Sequence, residues 1–315
     1  VPEIVTLTMN PALDIATSAD TVVPTDKVRC APPRYDPGGG GINVARVVRV
    51  LGGDAFAIFP AGGPAGGTLE NLLDRDGVPH SRIPIDGPTR ENFTVDERRS
   101  SLQYRFVLPG PALTQAECEA CLARLAEVAE GTRFIVASGS LPPGVPVGFF
   151  QTVADLAKER GIPFVLDTSG DALRAMRSGV YLLKPSIREL REWVGRELRE
   201  EAQQVEAARE LIGRGISQIV VVSLGAKGAL LVTAERYESL PPIAVPVRST
   251  VGAGDSMVGA ITVGLVKGLD LRHAVRLGMA AGAATLMSPG TELCHRADVE
   301  RLYAACIAPE AEAAR

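Results

Sequence analysis

The stretch "RFIVASGSLPPGVPVGFFQTVADLAKERGIPFVLDTS", residues 133–169, holds a short apolar run, a segment of helical spacing over 146–160 and a second apolar run. Runs such as 134–137 and 164–166 show no polar alternation, so both faces of the strand must be covered, as in a parallel sheet. The pattern extends in both directions. "IVTLTMNP" (4–11) reads as a first buried strand, broken at Asn10-Pro11, and "DAFAIFP" (54–60) as a second. A helix over 114–130 precedes the opening stretch. A short helix precedes "VYLLKPS" (180–186), and helices near 186–194 and 203–214 precede "QIVVVSLG" (218–225). Strands alternating with helices predict an α/β fold, a mainly parallel sheet covered on both sides. Residues 228–247 read as short strands, and the last third as helices around 253–267, 270–287 and 296–306. The tail 308–315 is expected to fray.

Two segments break this rhythm. Residues 15–35 lack helical periodicity and carry Pro24, Pro32 and Pro33; within them "KVRCAPPRYD" (27–36) reads as a short exposed strand, with Lys27 and Arg29 on one face. Residues 89–107 place Phe93 and Val95 before a polar turn and Leu102, Tyr104 and Phe106 after it, a hairpin with one apolar face. The two segments predict a small β-sheet lid on a single domain, 1–315, built from insertions at about 15–35 and 89–108. An exposed sheet with an apolar face is an aggregation hazard unless covered. Pairing of two lids in a homodimer is the expected cover.

Totals narrow the function. With 315 residues and 46% hydrophobic content, a large core is available. The net charge of −4 supplies no basic field for nucleic acid. No apolar run is long enough to span a bilayer, so the expected setting is cytoplasmic. Cys118 keeps helical spacing with Leu122, Leu125 and Val128, and Cys118 and Cys121 read as core or boundary residues on a helix rather than a redox pair.

In a parallel sheet, ligands bind beyond the carboxyl ends of the strands. That position singles out Asn10, Asp14, Ser138, Asp167, Lys184, Ser223 and Gly225. No Gly-Lys pair exists for a Walker A loop, and the dinucleotide fingerprint fails twice, because Val44 and Met257 stand where its third glycine belongs. Two Gly-rich helix starts remain, at 38–41 and 252–254, each able to offer backbone N–H groups to an anion. Either can also be a tight turn packed against strands; four successive glycines followed by Asn43 suggest something large against the backbone. Asp255 follows Gly252-Ala253-Gly254 directly. A carboxylate there can simply favour the helix dipole, which would lower its pKa. Alternatively, it accepts the proton of an attacking hydroxyl while the amides stabilise a transferring phosphoryl group. The lid is rich in cations: Lys27, Arg29, Arg34, Arg90, Arg98, Arg99 and Arg105. Arg suits phosphate through paired hydrogen bonds.

"PGGGGINVAR" (37–46) and "STVGAGDSMVGA" (249–260) resemble the two signatures of the ribokinase-like phosphofructokinase-B sugar kinases. The likeness spans most of the chain, through "TLTMNPALD" (6–14), "KVRCAPP" (27–33), "QYRFVLPG" (103–110), "SGSLPPGV" (138–145), "LLKPS" (182–186), "VVVSLGAKGAL" (220–230) and "GTELC" (290–294). It implies a ribokinase-like three-layer sandwich with a lid, and an ATP- and magnesium-dependent phosphotransferase. Within the family the chain looks closest to the bacterial type 2 6-phosphofructokinases, which act on the C1 hydroxyl of fructose 6-phosphate. Relatives acting on fructose 1-phosphate or tagatose 6-phosphate usually read G-G-K-G where position 40 here is Gly. These two activities, and a silent sugar- or nucleotide-binding member, are the alternatives.

The resemblance also implies roles. Asp255 is the expected base, with Gly252, Ala253 and Gly254 as the anion hole. Asp14, Gly39, Gly40, Gly41, Asn43 and Ser138 are expected on sugar hydroxyls, and Arg90 on the 6-phosphate. Lys27 is expected near the nucleotide phosphates, reaching from a partner subunit. Lys184, with Ser223, Leu224, Gly225, Ala226, Lys227 and Gly228, is expected to line the ATP site. Ser249, Val251, Thr285, Ser288 and Gly290 are the positions for a monovalent cation such as potassium. The family's N-x-x-E motif, which helps place magnesium and phosphate, reads "SIRE" here: Ser186 replaces Asn and Glu189 remains. Altered magnesium or ATP affinity is the expected consequence.

Overall fold

Strand–helix alternation is realised in the computed structural model, which describes the backbone of residues 1–313 and the side chains of residues 1–308. In chain order the first elements are β1 (Ile4–Leu7), β2 (Ala12–Ala19), β3 (Arg34–Gly38), α1 (Gly40–Val50), β4 (Ala55–Ala61), α2 (Gly63–Arg75), β5 (His80–Pro84), β6 (Arg90–Glu97) and β7 (Gln103–Phe106). The regular part follows with α3 (Gln115–Val128), β8 (Phe134–Ser138), α4 (Phe149–Glu159), β9 (Phe164–Asp167), α5 (Gly170–Arg174), β10 (Val180–Leu183), α6 (Ile187–Val194), α7 (Glu201–Gly213) and β11 (Ser217–Ser223). The chain ends in β12 (Ala229–Val232), β13 (Tyr237–Leu240), α8 (Ala253–Val266), α9 (Leu271–Leu286) and α10 (Arg296–Ala313).

Nine strands form the main sheet in the order β13-β12-β11-β10-β9-β8-β1-β4-β5. Pairing is parallel from β5 to β11 and antiparallel only at β12 and β13. The chain leaves β1 towards β4 and β5, then returns to β8 and runs to the other edge. The order therefore reverses around β1, and the crevice at the carboxyl ends of β1 and β8 is the expected ligand position. The apolar runs divide by residue parity. Ile4, Val136 and Phe59 face a core shared with α1, α8, α9 and α10, while Val5, Ile58 and Ile135 face one shared with α3, α4 and α7. Cys118 and Cys121 are buried on α3, where burial pushes the Cys121 thiol up to about 12 and makes it unreactive.

The lid is a separate four-stranded sheet, β3-β2-β6-β7. The hairpin lies where its alternation placed it, with Phe93 opposite Phe106 and Val95 opposite Tyr104. β2 runs parallel to β6, from Ala12 beside Arg90 to Ala19 beside Glu97. Three expectations need correction. The first lid segment begins at Ala12 and its return strand ends at Gly38, wider than 15–35. Lys27 and Arg29 do not share a strand face, because residues 20–33 form no strand and the prolines there remove ladder donors. The last helix, expected around 296–306, carries helical backbone on to Ala313, and residues 314 and 315 lie outside the described residues.

Candidate active site

Three elements meet at Asp255, in the first turn of α8. Ser138 at the end of β8 donates its hydroxyl to Oδ1 at 3.0 Å. Asn43 in the first turn of α1 donates Nδ2 to Oδ2, also at 3.0 Å. The two donors fix both carboxylate oxygens in one orientation. The Asp255 carboxyl is held above its ordinary value of 3.8, because burial outweighs the hydrogen bonds from Asn43 and Ser138 and the charge of Lys184. This reverses the expectation that the helix dipole would dominate and lower it.

Gly252 caps the start of α8, and its φ of 74° lies in the left-handed region that favours glycine. The amides that open a helix have no partner within it, so 252–254 present N–H groups beside the carboxylate. Lys184 stands on the far side of this turn: a Cβ added to Gly254 would lie 3.6 Å from its Nζ. Lys184 is 4% exposed in its side chain and pairs with Asp167 Oδ2 at 3.2 Å. Burial pushes Asp167 up to about 7 despite that partner, with the nearby Asp255 and Glu189 charges adding to the rise. The ends of β8, β9 and β10 thus place a hydroxyl, a carboxylate and an ammonium in one row beside the start of α8.

The first Gly-rich stretch serves packing. Gly39 caps α1 with φ 113°, and a Cβ there would come 2.7 Å from Thr8 Cγ2. A Cβ on Gly40 would meet the Ser138–Gly139 backbone, and one on Gly41 would come 2.6 Å from the Leu7 carbonyl. A large body against this backbone is the protein's own chain at the ends of β1 and β8. Close approach has a functional result, since it brings Asn43 and Ser138 to the same carboxylate.

Towards the lid, Asp14 Oδ1 accepts Asn92 Nδ2 at 2.8 Å, and Arg90 and Arg105 lie close enough to oppose the rise that burial imposes on its carboxyl. Arg90 donates to the carbonyls of Asn10 at 2.9 Å, Leu108 at 3.1 Å and Pro11 at 3.4 Å, which leaves two of its five N–H groups for a further acceptor. Arg34 pairs with Asp36 and Glu292, and Arg98 with Asp20, so these two lid cations already have carboxylate partners.

Other expected residues stand as follows. Ser186 and Glu189 form a capping box on α6: the Ser186 hydroxyl accepts the Glu189 N–H at 3.2 Å, and Glu189 Oε2 accepts the Ser186 N–H at 2.8 Å. The Ser186 hydroxyl is thus engaged as a helix cap, a role the reading of "SIRE" as a phosphate motif did not include. A bridge between Ser186 and Ser223 brings the end of β11 alongside, followed by Leu224 and a 3-10 turn at Gly225–Lys227, which includes Ala226 and closes at Gly228. Lys27 is exposed in the 20–33 stretch. Ser249, Val251 and Gly290 are brought together, the Ser249 hydroxyl donating to the Gly290 carbonyl at 2.6 Å and accepting the Val251 N–H at 3.2 Å. The Thr285 hydroxyl turns to Ser256 and Ala281, and that of Ser288 to the Leu293 carbonyl; any cation contact by these two falls to their backbone carbonyls.

The sequence profile of the pfkB family carbohydrate kinases matches residues 7–298. The chain belongs to the pfkB family of carbohydrate kinases. It is 59% identical over 305 residues to the ATP-dependent 6-phosphofructokinase isozyme 2 of Mycobacterium tuberculosis H37Rv, covering 96% of this chain and 89% of that protein. The 1-phosphofructokinase of Haloferax volcanii is more distant, 34% identical over 297 residues, with 94% and 95% covered. The phosphofructokinase-2 of Escherichia coli, solved in complex with potassium, superposes with a TM-score of 0.92 at 42% identity, over 97% of this chain and 99% of that one. The same enzyme has been solved with fructose-6-phosphate, at TM-score 0.91 and 41% identity, with 97% and 99% covered. In this pfkB kinase, reading by residue type left Asp167, Asn92 and Arg105 without a role. Asp167 was detectable as a polar strand end; Asn92 and Arg105 reach Asp14 only through the β2–β6–β7 register.

Proposed function

We propose that this chain is an ATP-dependent 6-phosphofructokinase, transferring the γ-phosphoryl group of ATP to the C1 hydroxyl of fructose 6-phosphate in the cytoplasm. The observation that carries the reading is the Asp255 carboxylate, held by Asn43 and Ser138 beside the free amides of α8. Its raised pKa suits proton acceptance better than an ordinary aspartate would. Asp255 takes the C1 hydroxyl proton, and the sugar oxygen attacks the γ-phosphorus. The bond from that phosphorus to the bridging oxygen breaks and ADP leaves. Charge on the transferring group is met by the amides of 252–254 and by Lys184.

In this scheme Asp14, Asn43, Ser138 and the Gly39–Gly41 backbone orient the sugar, and Arg90 holds its 6-phosphate with the N–H groups not given to carbonyls. The turn after Ser223, through Gly228, borders the nucleotide, and Lys27 meets its phosphates from a partner subunit. Among the described residues no three or more His, Cys, Asp or Glu side chains cluster as a metal cage. That fits magnesium, which usually relies on one or two carboxylates and on substrate phosphates; Glu189 would act on it indirectly. Magnesium, when bound, would offset part of the triphosphate charge. The carbonyls around Ser249, Val251 and Gly290, with those of Thr285 and Ser288, suit a potassium ion. No described helix is long and apolar enough to cross a membrane. A coupled ADP-release assay compares fructose 6-phosphate, tagatose 6-phosphate, fructose 1-phosphate and free sugars. The highest kcat/KM is expected with fructose 6-phosphate; preference for either other phosphate reassigns the substrate, and no ADP release with any sugar removes the kinase reading.

A further inference from the structure

Outside the substrate-facing residues, a buried polar junction ties the lid to the start of α8. Asp36 lies on β3 and is 2% exposed. Its carboxylate receives the Thr291 hydroxyl at 2.6 Å, Arg34 at 2.9 Å and Arg46 of α1 at 3.5 Å. Thr291 belongs to the loop joining α9 and α10. In that loop Glu292 pairs with Arg34, Gly290 accepts the Ser249 hydroxyl, and Leu293 packs so closely on Gly252 that a Cβ there would lie 2.6 Å from Leu293 Cδ2. A second lid strand reaches the same place, since Gln103 of β7 donates to the Ser249 hydroxyl at 3.3 Å. Across the β2–β3 ladder Asp36 stands opposite Asp14, the residue facing the sugar pocket.

We infer that Asp36 and Thr291 are positioning residues that set the register between the lid and the amide turn at 252–254. The inference rests on the kinase reading for its functional meaning. A carboxylate buried between two hydrogen-bond donors, Thr291 and Arg34, and the nearby Arg46 charge is a demanding arrangement, since removing one partner exposes the others' unmet needs. It fixes one relative placement of β3, α1 and the 288–295 loop. The sugar hydroxyl is held from the lid side and the phosphoryl group from the α8 side, so an error in this register separates the reacting atoms. Displacements near 1 Å reduce turnover on the order of a hundredfold.

The test uses the full chain with Thr291→Val, Thr291→Ser and Gln103→Leu, the last at a half-buried side chain on the lid. Thr291→Val is expected to lower kcat by roughly tenfold or more while the KM for fructose 6-phosphate stays within about twofold, and Thr291→Ser to restore it. Amide exchange in the sugar-free protein is expected to quicken at 249–254 in Thr291→Val, and less so in Gln103→Leu, and to stay at the parent rate in Thr291→Ser. Parent kcat in Thr291→Val, or unchanged exchange at 249–254, overturns the inference. If Thr291→Val does not fold, Thr291→Ala, which removes the same hydroxyl without adding a methyl group beside Asp36, decides by the same exchange. If the parent releases no ADP with any sugar, the kinase reading fails separately, and the exchange comparison still judges the structural link.

Discussion

Opposing influences act on Asp255. Burial raises its pKa, while Asn43, Ser138 and Lys184 favour the charged form, and burial prevails. A base must be ionised to accept a proton, so the acid limb of the kcat/KM profile is expected at higher pH than an unperturbed aspartate would place it. A limb at or below the ordinary aspartate value of 3.8 removes the assignment. Asp255→Asn should lower kcat by about 10² to 10⁴-fold, the usual worth of a positioned base. The sign for stability is the reverse. A carboxyl whose folded pKa is raised contributes stability below its unfolded pKa and loses it as pH rises through the folded value. Above its folded pKa the ionised Asp255 is therefore a burden, and in that range Asp255→Asn should melt no lower than the parent. Arg90→Ala should raise the KM for fructose 6-phosphate about 10- to 100-fold, as expected for one or two hydrogen bonds from a charged donor to phosphate; an unchanged KM refutes its phosphate role.

The opening turn of α6 carries both a helix cap and the family's altered motif. Ser186→Ala removes the acceptor for the Glu189 N–H and should lower stability by about 1 kcal/mol, measured by urea unfolding. Asn caps a helix as well as Ser, so Ser186→Asn should leave stability within a few tenths of a kcal/mol. Any change it makes in the response of activity to free magnesium then reports the motif and not the helix. Identical magnesium titrations of parent and Ser186→Asn would remove the idea that this serine tunes the metal. The Gly-rich start of α1 belongs to the same scale. Its glycines were legible as a helix start, but what presses on them was not, because β1 and β8 are brought to that point by chain crossings far apart in sequence.

At the scale of the molecule, the lid leaves Phe93 39% and Phe106 53% exposed as register partners, with Leu102 and Val107 at 59% beside them. Contiguous apolar surface of this kind is usually covered. Pairing of two lids would cover it and would bring Lys27 to a neighbour's nucleotide phosphates. Phe106→Glu should sediment as a monomer at micromolar concentration and lose activity if Lys27 acts across the interface. A fully active monomeric parent at that concentration argues against the dimer.

The fold was written in local pattern. Unalternated apolar runs between helices specify parallel strands, because only a sheet covered on both faces can bury them. The hairpin followed from the alternation of Phe93, Val95, Tyr104 and Phe106, and the candidate base from the spacing of Gly252, Ala253, Gly254 and Asp255. Tertiary structure alone decided the rest. Whether Asp255 has a raised or lowered pKa depends on how deeply α8 is buried and on two donors that lie 212 and 117 residues away in the chain. The pairing of Lys184 with Asp167, and the junction of Asp36 with Thr291, likewise join residues that no local period connects. Periodicity reports which face of an element is covered; charge states and cross-element hydrogen bonds depend on what covers it.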